Sequence, residues 1–309
     1  MRWTRKATAA LVLAAAVVAA AFATTLVARP GEAAAQHGGP VVIGAAEPSS
    51  AGRNEAYPWI DGAFRETVES RLRTPFAHRR REVEPGSFGA WLRGLPLEPG
   101  RGVIHMFDGS KARTQRNHVA VVALDVGSSD LQQCADSIIR LRAEYLRASG
   151  REDEIAFRFT NGDLARWTDW RDGMRPTVRG SRVSWSRMAA RDASYASFRR
   201  YLDAVFMYAG THSLERELEP VADPSLVEPG DVFIVGGFPG HAMLVIDVAE
   251  GRGGRRMFML AQGLLPARDL HIVHDGGFIK EYWHPARSTG RFYAGGWPFN
   301  YTDLRRFAE

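Results

Sequence analysis

The chain has 309 residues, 45% hydrophobic and 24% charged, with a formal net charge of +5. Those values rank it with ordinary globular proteins and leave ample core for one large domain or two small ones. Its basic residues are scattered, and no basic helix carries interleaved aromatics, which argues against nucleic acid as a partner.

Residues 1–35 read as a signal peptide. Arg2, Arg5 and Lys6 form a basic start, Ala7 to Ala28 is an apolar or small-residue run, and Ala33-Ala34-Ala35 offers a small-x-small cleavage site. The run is also just long enough to span a bilayer, so an uncleaved N-terminal anchor is the second reading. A lipoprotein is excluded, because no cysteine lies near the cleavage region. No second apolar run of that length follows, so no stable membrane insertion is expected after cleavage. Residues 1–35 hold four basic residues and one acid, so their removal leaves 36 basic against 34 acidic residues, or +2. Only three lysines occur (Lys6, Lys111, Lys280). The arginine excess reads as a codon bias of the source, not as a phosphate-binding surface. The expected location is periplasmic or extracellular.

Residues 36–54, rich in Gly, Pro, Ala and Ser, predict a flexible leader, and residues 55–309 a single α+β domain. Ile60 to Leu72 has helical spacing. Ser87 predicts the N-cap of a short helix, Phe88 to Arg93. Val103 to Phe107 is a short strand candidate, and His118 to Val126 a buried one. Gly127-Ser128-Ser129-Asp130 then supplies turn and cap chemistry ahead of a helix from Leu131 to about Arg147. Its apolar stripe includes Leu131, Cys134, Ile138, Leu141 and Tyr145. Ile155 to Phe159 alternates like a strand, Leu164 to Met174 predicts a helix, and Thr177 to Val183 a hairpin turning at Gly180. Asp192 predicts the cap of a helix ending near Ala209, and Leu214 to Leu218 a short helix. Gly230 to Gln262 reads as strand, tight loop, strand, turn, strand. Pro266 to Val273 is irregular with a strand at its end. The tail is loop-rich and aromatic, with a last short helix near Thr302 to Phe307.

The chain has one cysteine, Cys134, so an internal disulfide is excluded. An exported protein keeps such a thiol either buried or in use. Cys134 falls near the start of its predicted helix, where the helix dipole and a nearby histidine would favour thiolate. It also falls on the apolar stripe, where a cysteine is a small hydrophobic filler. His241 opens the second strand of the 230–262 segment, a rigid place for a general base. Gln262 closes the third strand, where a carboxamide could fix one imidazole tautomer. Gln133, or the amide of Cys134, could donate to an oxyanion, and His118 could be a second imidazole in the cleft. No HxxxH or CxxC spacing and no Gly-rich phosphate loop occurs, so no metal and no cofactor is expected.

Gly230-Asp231-Val232-Phe233 followed by Gly240-His241-Ala242-Met243-Leu244-Val245 resembles the histidine segment of the papain-like NlpC/P60 and CHAP amidases. The order Cys134, His241, Gln262 fits that group, although Ala135-Asp136 stands where those amidases carry a small-residue pair. A wider resemblance covers Ser87 to Phe307 through Gly86–Leu97, Asp130–Tyr145, Ser197–Gly210 and Gly230–Gln262. On these stretches the chain resembles an uncharacterised bacterial family, domain of unknown function 4846, which brings no established activity.

These readings give an α+β fold with a papain-like core, the Cys134 helix packed on a mostly antiparallel sheet. The expected activity is thiol-dependent hydrolysis or transfer at an amide bond, with Cys134 as nucleophile, His241 as base and Gln262 as orienting group. The compartment suggests peptidoglycan or another peptide as substrate. The alternative is a non-catalytic envelope protein that binds a glycan or peptide in an aromatic groove and keeps Cys134 as core.

Overall fold

Three apolar strands between Val232 and Gln262 are too hydrophobic to meet water on either face, and the rest of the chain is arranged to cover them. The computed structural model describes residues 55–61, 64, 66–276 and 280–308. The predicted signal peptide and leader lie outside these residues. Residues 50–309 form one compact unit.

The helices are α1 (Val68–Arg71), α2 (Phe88–Arg93), α3 (Cys134–Ala148), α4 (Trp167–Arg171), α5 (Tyr195–Tyr208) and α6 (Thr211–Glu217). The first strands are β1 (Arg79–Arg80) and β2 (His118–Val121), then the hairpins β3 (Ala156–Arg158) with β4 (Leu164–Arg166) and β5 (Met174–Arg179) with β6 (Arg182–Arg187). After β7 (Glu219–Pro220) come β8 (Val232–Val235), β9 (His241–Glu250), β10 (Arg256–Gln262) and β11 (His271–Val273). Two-residue β12 (Asp275–Gly276), β13 (Lys280–Glu281) and β14 (His284–Pro285) lead to the hairpin β15 (Arg291–Ala294) with β16 (Trp297–Asn300), and β17 (Leu304–Arg306) ends the order.

The main sheet runs β2-β11-β10-β9-β8-β17-β7, with β1 on β9 and β14 on β10, and its pairings are antiparallel. The fold is therefore α+β around a mostly antiparallel sheet. Ala242, Leu244, Ile246, Met259 and Ala261 face a core to which each of the six α-helices among the described residues contributes. Phe233, Met243, Val245, Phe258 and Leu260 face the other core, roofed by Phe292, Trp297 and Phe299 of the β15–β16 hairpin.

Strand β9 carries a bulge. Consecutive Met259 and Leu260 pair with Asp247 and Val245, so Ile246 is one residue extra. A bulge reverses the alternation of side chains along its strand. Asp247 thereby turns to the helical face, where Arg93 of α2 donates to it at 2.7 Å and Arg80 also donates. Helix α3 is buried nearly all round, from Ala135 to Leu146. Its charges survive burial because they are paired: Arg140 donates to Asp125 at 2.6 Å and to Gln132 at 2.8 Å, and Tyr195 donates to Glu144 at 2.7 Å.

Several elements depart from their sequence expectations. In the predicted 60–72 helix, the helical part is Val68–Arg71, begun at Thr67, whose hydroxyl accepts from the Ser70 amide. The strand expected at 103–107 is reduced to isolated bridges, His105 with Lys111 and Met106 with Arg268. Leu164–Arg166 pairs with β3, which leaves only Trp167–Arg171 for the helix expected there. Ser194, not Asp192, caps α5. The last segment forms strand β17 against β8 and β7, because the unpaired edge of β8 takes it up.

Asp247 is fully buried between two guanidinium groups. Asp247→Ala leaves both uncompensated and should cost about 3–5 kcal/mol, the range for breaking a buried pair from one side. Urea unfolding of the variant at unchanged m-value is the check; a loss below 1 kcal/mol would make the pair dispensable.

Candidate functional site

Helix α3 starts three residues later than its apolar stripe suggests. Gln133 is the N-cap and its amide donates to Asp136 at 3.1 Å, so Cys134 is the first helical residue. That places the thiol where the unsatisfied N–H groups and the positive end of the helix dipole lie. The chain after β10 passes close to this end. A Cβ on Gly263 would stand 2.8 Å from the Gln133 carbonyl oxygen and 2.5 Å from Ser137 Oγ, so only glycine fits there. The last residue of β10, Gln262, is thereby held beside the start of α3.

His241 is the first residue of β9 and is buried, as is Gln262. His241 Nε2 and Gln262 Oε1 lie 2.8 Å apart. The Gln262 amide nitrogen lies 3.3 Å from Nε2 of His271, whose Nδ1 is 2.9 Å from the Asp269 carbonyl oxygen. The β15–β16 hairpin closes over this row. Trp297 sits 5.3 Å from the His241 ring and Phe299 6.1 Å, centroid to centroid. Gly295, with φ of +57°, makes the close approach: a Cβ there would be 2.5 Å from Gln262 Nε2 and 2.6 Å from Met243 Cε.

Alternation along β9 puts the His241 side chain with Met243 on the hairpin face, whereas Ala242 faces α3. The thiol and the imidazole therefore lie on opposite faces of the sheet, both near the start of β9. Cys134 is half-buried. The backbone N–H groups of Ala135, Ala242 and Cys134 itself act on its sulfur in favour of thiolate. Ala242 directly follows His241, so the sulfur lies against the main chain that carries the imidazole. No hydrogen bond joins the two side chains among the described residues, and His241 Nδ1 has no partner there.

Burial pushes the Cys134 thiol up to about 11, with the neighbouring Asp136 adding to the rise. Asp136 is itself raised to about 8 by burial, so it is largely protonated at neutral pH and its repulsion acts only in alkali. Burial lowers the His241 imidazole, opposed by its bond to Gln262. At neutral pH the thiol and the imidazole are thus both uncharged.

Gln133 and His118 stand farther off. The Gln133 carboxamide donates to Asp130 at 3.1 Å, which turns it into the turn ahead of α3. His118 lies beyond His271, with ring centroids 6.1 Å apart, and its Nε2 is 3.1 Å from the Gly102 carbonyl oxygen. Among the described residues no group of three or more His, Cys, Asp or Glu could hold a metal ion, and no helix is long and apolar enough to cross a membrane. Reading the sequence missed His271, Asp136 and Trp297 as parts of the site. The signal for the last was present: Gly295-Gly296 between aromatic runs is a two-residue hairpin turn.

Fold and site together define an α+β protein whose helix-borne thiol and imidazole–carboxamide pair lie at one end of an antiparallel sheet. The chain belongs to the family described as a domain of unknown function (4846), whose model matches residues 68–306. No curated protein and no solved structure matches it.

The Asp136 carboxyl gives a pH-dependent test. Its value rises from 3.8 to about 8 on folding, so the stability from its protonated form is full below about pH 4 and is lost as pH climbs to about 8. Asp136→Asn should therefore gain on wild type steadily across that window in urea unfolding. A difference that stays flat with pH would mean the carboxyl is ionised when folded. The variant should also shift the alkylation profile of Cys134 to lower pH, since it removes the nearest negative charge.

Proposed function

We propose that this protein is an exported thiol-dependent hydrolase or transferase acting on amide bonds, built on a papain-like core. The observation that carries the proposal is the seating of Cys134. It is the first residue of α3, its sulfur lies against the amide of Ala242, and the preceding His241 is held by Gln262 at 2.8 Å. In this reading Cys134 Sγ attacks the carbonyl carbon while His241 Nδ1 takes the thiol proton. The negative charge that develops on the carbonyl oxygen is met by N–H groups at the start of α3, Cys134 among them. The tetrahedral adduct then collapses: the C–N bond breaks and the leaving amine takes the proton from Nδ1. Water, or another amine in a transfer reaction, releases the thioester with His241 again as base.

Because the thiol is raised and the imidazole lowered, proton transfer accompanies attack; no ion pair is formed beforehand. Cell-wall peptide is the substrate class that fits an exported amidase. That part rests on the N-terminal sequence alone.

One observation favours the second reading, a non-catalytic envelope protein with a structural cysteine. The thiol is crowded by protein, and alternation directs His241 to the face opposite α3. Alkylation of Cys134 in the folded protein decides between them. The enzyme reading expects iodoacetamide to react at neutral pH about 10²-fold faster with wild type than with His241→Ala, a modest general-base contribution. Reaction only after denaturation would make the cysteine structural and overturn the proposal.

A further inference from the structure

We infer that His271 is a positioning residue: through the Gln262 carboxamide it sets the tautomer of His241, leaving Nδ1 of His241 as the bare, proton-accepting nitrogen. The inference deepens the hydrolase reading and rests on it for its catalytic meaning. The hydrogen-bond relay itself can be tested without any substrate.

The relay is fixed from its far end. A carbonyl oxygen can only accept, so the 2.9 Å contact with Asp269 requires the hydrogen of His271 on Nδ1. Neutral His271 then presents a lone pair at Nε2. Only a donor satisfies it, so the Gln262 NH2 group must face it, at 3.3 Å. The Gln262 carbonyl oxygen is left to face His241 Nε2 at 2.8 Å, and that nitrogen must carry the hydrogen. Neutral His241 therefore has no hydrogen on Nδ1.

No alternative arrangement satisfies every atom. With the hydrogen of His271 on Nε2, two lone pairs would confront each other at the Asp269 carbonyl. A flipped Gln262 would point NH2 at His241, force its hydrogen onto Nδ1 and abolish the base. Burial supports the neutral form, since it pushes His271 down to about 4, and His118, Arg268 and His241 add to the fall. Gln262 is equally confined: the Gly295 backbone closes on its amide and the side chain is buried. A misassigned tautomer is costly in nucleophile–imidazole catalysis, even when geometry is intact.

The experiment is long-range proton–nitrogen correlation on protein with 15N-labelled histidine, with Cys134 alkylation at neutral pH alongside. Wild-type His241 should show the Nε2–H tautomer. His271→Leu removes the acceptor and should give a mixture of both tautomers, with alkylation slowed about tenfold. His271→Gln, whose side-chain oxygen can accept where Nε2 did, should restore the wild-type spectrum. His241 found with its hydrogen on Nδ1 in wild type would overturn the inference without any variant. So would a His241 spectrum unchanged by His271→Leu. If the spectrum moves as expected while Cys134 stays inert in every variant, the relay stands and the hydrolase reading is what fails.

Discussion

The arrangement depends on a single extra residue in the central strand. Strand β9 is buried over its first nine residues, and only two of those nine, His241 and Asp247, have polar side chains. They stand six positions apart, and in an unbroken strand both would share a face. The bulge at Ile246 divides them. Asp247 turns to the helical layer and is neutralised by Arg93 and Arg80. His241 turns to the hairpin layer and is bound by Gln262 beneath Trp297. A buried carboxylate and a buried imidazole on one face would compete for the same partners. Separated, each is satisfied within its own layer.

The division explains which parts of the molecule could be read from sequence. Strands β8, β9 and β10 are legible because each is a continuous apolar run bounded by glycine, and the polar residues at their ends stand out against it. Helix α3 is legible as a helix but not in its start. Leu131 continues the apolar stripe, and only the capping exchange between Gln133 and Asp136 shows that the first turn belongs to Cys134. The last strand was unreadable for another reason. Leu304–Arg306 is a strand because β8 has a free edge, a fact that no local pattern contains. No local pattern marks His271 as part of the site. Its meaning lies in the register of β11 on β10, which places it opposite Gln262.

The site also shows why an imidazole at a strand start suits the proposed chemistry. The ring has two nitrogens with different reach. Nε2, at the far end, is taken by a neighbouring strand through Gln262. Nδ1 lies close to the residue's own main chain. A group that uses Nδ1 as its base must therefore find its partner near that main chain, and the Cys134 sulfur lies against the amide of the next residue. In the proposed reading the two groups would approach over the end of the strand, not through the sheet.

Electrostatics decide what such a pair can do at rest. A helix N-terminus favours thiolate, yet burial at this site outweighs it and the thiol is held high. Asp136 would raise it further if ionised, but the same burial keeps that carboxyl protonated until about pH 8. Both effects preserve neutrality, which a crowded apolar pocket requires in the absence of a bound partner. Charge would then appear only during reaction, as the proton passes to His241. The dipole of α3 and the Gln262 carbonyl would be aligned to receive it beforehand. In the proposed reading such a site holds little standing thiolate, the reactive form, and relies on His241 to take the proton as the sulfur attacks. In the exported enzyme proposed above, a solitary cysteine so held would form thiolate only together with its bond to the substrate carbonyl.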